Sequence, residues 1–319
     1  MVDLGIHVDC SPLVKQGKLT ALEAEARKSL LLTIFVFAAQ WSLYLGRPNP
    51  MSQPTLRAVL QAAPEFPNVW VGYCTRMLDI VDILNSPASL SGFTRETSDR
   101  LLELNSELQS FLDSIQPNFS ANDRQLEELD GELYSFHMQD SGLQIQLHRA
   151  ILKSDQLARD SKGGDAEAHQ LLSDSSRDHL YSCVHGKAIG IARLILSYQR
   201  IFGVDEIVTV MIDNIFIASF ALISHIHRLN QQGKSAEQDV HWLHLLSSTL
   251  QAMGKHFPAT ARMRSYLARL AKDSALSSAF PPVADSSPSN LSENRFDIFH
   301  AQESATGISE VGAGDLLAD

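Results

Sequence analysis

Apolar spacing marks this chain of 319 residues as all-α, a multi-helix globular bundle followed by a disordered acidic tail. Three observations carry that reading. Apolar residues recur at i, i+3 and i+4 through long segments, the period of a helix with one buried face. No apolar–polar alternation runs long enough to build a sheet. Glycine and proline cluster between the periodic segments, where they punctuate helices.

The elements follow in order. Thr20 opens the first long helix: its hydroxyl can accept a backbone N–H, and Glu23 follows at the capping-box spacing. This helix passes Glu25, Arg27 and Lys28 into Leu30–Leu45. That second half is apolar nearly all round and is expected to be enclosed. Gly46 offers a C-cap, and Pro48 and Pro50 prevent continuation. Residues 49–67 hold four prolines and read as a connector with a short helix at 55–61. Helices are expected at 70–85 and at 96–115, the latter striped by Leu101, Leu104, Leu108, Phe111, Leu112 and Ile115. Residues 126–157 fit one longer helix despite Gly131 and Gly142, and 161–165 is a loop. Further helices are expected at 176–202, 206–230, 241–254 and 259–273, set apart by Gly203, Gly233 and Pro258. Residues 1–275 thus form the expected helical domain.

From Leu276 to Asp319 the composition turns to Ser, Pro, Gly, Ala and acids. Seven acids against the single base Arg295 give this stretch a charge of −6 out of −11 for the whole chain. Like charge with few apolar residues predicts disorder. Phe296, Ile298, Phe299, Leu316 and Leu317 lie among the acids and form a candidate activation segment. Acids can keep such anchors in water until a partner groove takes them as a short helix.

Composition excludes several functions. With 26 Lys and Arg against 37 Asp and Glu, the chain is a poor direct ligand for nucleic-acid phosphates. Cys10, Cys74 and Cys183 are scattered and form no C-x-x-C pair, so neither a disulfide framework nor a zinc cluster is expected. That usage fits a reducing compartment. The N-terminus has no secretory pattern, and the apolar runs 30–45 and 207–223 are too short and too interrupted to span a bilayer.

No catalytic motif is present: glycine-rich phosphate loops, Gly-x-Ser-x-Gly and His-Glu-x-x-His are all missing. His241 and His244 could share a helix face but have no carboxylate at ligand spacing, and His225 and His227 would point to different sides. Glu127, Glu128 and Asp130 read as a solvated face. The expectation is a non-enzyme without metal or cofactor.

One ordered set of motifs goes further. Leu4-Gly5-Ile6-His7 is followed by Glu23, Glu25, Arg27 and Lys28, and the apolar helix ends in Ser42-Leu43-Tyr44-Leu45-Gly46-Arg47-Pro48. His137-Met138-Gln139 and Leu147-His148-Arg149 come later, then Cys183, Ala188, Leu194 and Tyr198. Over residues 1–270 this order resembles the fungal-specific transcription factor regulatory domain, the middle homology region of zinc binuclear cluster regulators. The chain departs from that pattern at Leu31-Leu32, where two tryptophans are common, at Ala38-Ala39, where Asp-Arg is common, and at Ala150, where proline is common. The resemblance begins part-way through the family's domain, so the upstream zinc cluster that binds DNA has no counterpart in this chain.

The resemblance implies a regulatory region that works in the nucleus by touching coactivators or regulatory proteins, with a small-molecule inducer as a further partner. DNA would be reached only through the missing N-terminal module. Gly46, Arg47 and Pro48 would then end a helix, with Arg47 paired to Glu23 or Glu25 or to helix-end carbonyls, and His148-Arg149 would pack and pair on a helix face. The alternative is a helical scaffold or interaction protein with no transcriptional role.

Overall fold

The computed structural model describes residues 10–45, 69–86, 92–115, 126, 129, 131–160, 172–271, 276, 279 and 280. Among these the chain forms α-helices and short 3-10 turns, with no strand. Contacts divide it into two compact units, Met1–Gln116 and Pro117–Asp297.

In the first unit, α1 (Ser11–Lys15) leads into α2 (Ala21–Leu45), followed by α3 (Val69–Leu84) and α4 (Arg95–Ile115). The expected capping box opens α2. The Thr20 N–H donates to Glu23 Oε2 at 2.8 Å, and the Glu23 N–H donates to Thr20 Oγ1 at 3.2 Å. Leu101, Leu104, Leu108 and Leu112 of α4 are buried, the stripe that the sequence predicts. Helix α3 packs against both α2 and α4.

The second half of α2 is only half enclosed. Leu31, Phe35, Ala39 and Ser42 are buried, while Leu30, Phe37 and Trp41 remain 47%, 52% and 47% exposed. An all-round apolar helix does not by its composition say which side receives a neighbour. Within its unit α2 packs on α1 and α3, which cover one face.

The second unit contains α5 (Gly131–Asp160), α6 (Asp174–Phe202), a 3-10 turn (Val204–Glu206), α7 (Thr209–Gln231), α8 (Glu237–Met253) and α9 (Pro258–Leu270). Helix α5 starts five residues later than predicted, and the Tyr134 hydroxyl donates to the Leu126 carbonyl just before it. Gly203, at φ +90°, stops α6 in a conformation that costs glycine little. Helix α8 starts earlier than predicted, with Glu237 and Asp239 in its first turn, where the exposed N–H groups favour acids. Leu276, Ala279 and Phe280 are buried, so the first residues of the expected tail pack on the fold. The short helix expected at 55–61 and the rest of the tail lie outside the described residues.

Helix α5 packs on both α6 and α7. Gly142 permits the approach to α7: a Cβ there would drive into Asn214 Oδ1 and lie 3.1 Å from Asn214 Cγ. Asn214 is buried and cannot simply swing into water. Alanine is otherwise the better helix former by about 1 kcal/mol. We therefore expect Gly142→Ala to destabilise the chain by about 1–3 kcal/mol in urea unfolding, the cost of overpacking. A stabilised variant would show that the two helices can part freely.

Candidate functional site

The expected site residues are dispersed. Glu23 is exposed, and hydrogen bonds from the Thr20 backbone and hydroxyl hold its carboxyl below the usual range. Glu25 is exposed and Arg27 half-buried. His148 lies buried on α5, and burial first, then the charges of Lys187 and His179, lowers its pKa to about 4. The Arg149 guanidinium stacks over the Phe220 ring at 4.0 Å, a packing contact between α5 and α7. Gly46, Arg47, Pro48, Phe296, Ile298, Phe299, Leu316 and Leu317 fall outside the described residues, as do Glu127, Glu128 and Asp130. His241 and His244 are both exposed on α8.

The structure assembles a different group, drawn from three helices. Gly233, at φ +66°, lets the chain reverse between α7 and α8. His225, near the end of α7, and Asp239, in the first turn of α8, lie on either side of this reversal and meet across it. Helix α6 packs on both α7 and α8 and brings in His185.

His185 Nε2–H donates to Asp239 Oδ1 at 2.7 Å, and His225 Nδ1–H donates to Oδ2 at 2.9 Å. The direction follows from the carboxylate, which when ionised can only accept. The two imidazoles stack with centroids 4.0 Å apart and planes inclined by 28°. Burial raises the Asp239 carboxyl, but hydrogen bonds and charge from His185 and His225 outweigh it and hold the group well below the ordinary carboxylate range. The side chain of Asp239 is 8% exposed, that of His225 14% and that of His185 31%, so the group is shielded but reachable from solvent.

Chemically this is a buried carboxylate served by imidazoles in place of Lys or Arg. Two ring nitrogens and a carboxylate oxygen lie within 4.8 Å of one another, a donor set of the kind that holds a metal ion. The sequence expectation of no ligand set weighed only neighbours along the chain. His225 and Asp239 are fourteen residues apart, and His185 and Asp239 fifty-four. One partial signal was available: His225 and Asp239 both lie within about two helical turns of the Gly233 reversal, which brings the helix ends on its two sides near each other without saying which side chains touch.

A second polar group joins α5 to α6, where Lys187 Nζ donates to Asp140 Oδ2 at 3.1 Å and desolvation lowers the pKa of His137. His148 Nδ1 is buried and has no hydrogen-bond partner among the described residues. Burial thus keeps this histidine uncharged at neutral pH, as a packing group would be.

Comparison with family models, with curated proteins and with solved structures returns no match for this chain.

Proposed function

We propose that this chain is the regulatory region of a fungal nuclear transcription regulator, acting on RNA polymerase II transcription through coactivators and regulatory proteins and not through chemistry of its own. The observation that carries this reading is the ordered motif set from Leu4 to Tyr198, together with an acidic, apolar-studded segment after the helical fold. The all-helical architecture of the described residues accords with it. The net charge of −11 leaves DNA contact to a separate basic module. No described helix is long and apolar enough to cross a membrane.

The test begins after Phe280, the last described residue. Residues 281–319, fused to an unrelated DNA-binding domain, are expected to raise reporter transcription in yeast. Phe296→Ala combined with Phe299→Ala should lower that output. Output equal to the DNA-binding domain alone would remove the activation role.

A second reading is a helical scaffold without a transcriptional role. It is favoured by the stripe of Leu30, Phe37 and Trp41, which α2 leaves exposed on one face.

A further inference from the structure

A further site goes beyond the transcriptional reading and does not depend on it. A buried carboxylate is normally matched by Lys, Arg or a metal, because taking its charge out of water is costly. Asp239 is 6% exposed, and its partners are the two imidazoles of His185 and His225. These nitrogens approach the same carboxylate from different helices, so one ion placed among them would reach all three donors.

The distances fit. A zinc-class cation sits about 2.0–2.2 Å from imidazole nitrogen and carboxylate oxygen, which puts tetrahedral ligand atoms about 3.3 Å apart. Here His185 Nε2 lies 2.7 Å from Oδ1 and His225 Nδ1 2.9 Å from Oδ2, and the two nitrogens with one carboxylate oxygen fall within 4.8 Å of one another. Bringing these three atoms to tetrahedral spacing asks for side-chain rotation, with no movement of the helices. Imidazole with carboxylate suits zinc and its borderline neighbours better than magnesium or calcium, which prefer all-oxygen shells.

We propose that His185, His225 and Asp239 bind one divalent transition-metal cation of the zinc class, which ties α6, α7 and α8 together and keeps a fourth coordination position facing solvent. On binding, each imidazole takes the neutral tautomer that carries its proton on the far ring nitrogen, Nδ1 of His185 and Nε2 of His225, and any second ring proton passes to water; the bare His185 Nε2, the bare His225 Nδ1 and one Asp239 oxygen then take the ion. The fourth position is reached past His185, the most exposed of the three side chains. A water or a ligand from a partner would complete the shell there.

The experiment uses the full chain freed of any histidine tag and of bound metal by chelator. Titration with Zn2+ is expected to show one equivalent bound and a rise in melting temperature. Co2+ in its place should give the visible absorption of a four-coordinate nitrogen–oxygen site. His185→Gln and Asp239→Asn should each weaken binding by at least about 100-fold, more than the loss of an outer-shell partner costs. Combined His241→Ala and His244→Ala should leave binding unchanged. If the ligand variants fail to fold, X-ray absorption on the wild-type zinc complex decides by counting two imidazoles and one carboxylate. Absence of one-equivalent binding, binding that survives in folded ligand variants, binding lost with His241 and His244, or a different imidazole count would each overturn the site.

Discussion

Asp155→Ala is expected to lower the stability of the second unit by about 3 kcal/mol, toward the lower end of the cost of breaking a buried ion pair. Asp155 sits on α5 with its side chain 1% exposed and accepts four hydrogen bonds or ion contacts. Arg177 Nε and Nη2 reach it at 2.9 and 2.8 Å, Arg159 Nε at 3.2 Å and the Leu172 N–H at 3.0 Å. Alanine would leave the Leu172 N–H and the Arg177 guanidinium without this acceptor. Arg177 keeps its bond to Asp174 at 2.7 Å, and Arg159 is 35% exposed, so water and a second carboxylate soften the loss. Asp155→Asn should cost less, about 1–2 kcal/mol, because its carbonyl oxygen still accepts. Urea unfolding followed by helical circular dichroism measures both. An unchanged midpoint for the alanine variant would show that this hub is ornamental.

Asp213→Asn should act in the opposite direction, stabilising the chain above neutrality. Burial on α7 pushes the Asp213 carboxyl up to about 7. In the unfolded chain an aspartate titrates near 3.9. Between about pH 4 and pH 7 the folded state therefore holds a proton that the unfolded state has released, so stability falls as pH rises through that window. Above about pH 7 the folded state carries a buried charge at full cost, about 2–4 kcal/mol after allowance for partial exposure. Asparagine has no charge to bury. Its advantage should be greatest near pH 8 and vanish near pH 4. Equal stabilities of the two proteins across this range would mean that water reaches Asp213 freely.

The helices were legible because their signals are local. Leu101, Leu104, Leu108 and Leu112 carry their period in the sequence, and Thr20 with Glu23 carries a cap within one turn. Interactions that bridge helices were not. Asp155 meets Leu172 and Arg177 seventeen and twenty-two residues on, and His185 meets Asp239 fifty-four residues on. Whether such residues touch depends on how helices pack, which no single-helix pattern encodes. The enclosure expected for α2 failed for the same reason: Phe37 and Trp41 look like core, yet both remain about half exposed while α1 and α3 pack on the helix. Position relative to a reversal is the intermediate case, since the Gly233 turn brings the neighbourhoods of His225 and Asp239 together while packing decides which side chains meet.

The order in which the helices of the second unit meet has a kinetic consequence. α5 packs on α6, α6 on α7, α7 on α8 and α8 on α9, each the next in the chain. Contacts between chain neighbours close with little loss of loop entropy and favour fast folding. During synthesis, α5 and α6 can pair through Asp155 before α9 has left the ribosome. The donors from α6, α7 and α8 then come together late, only once the third of these helices has docked.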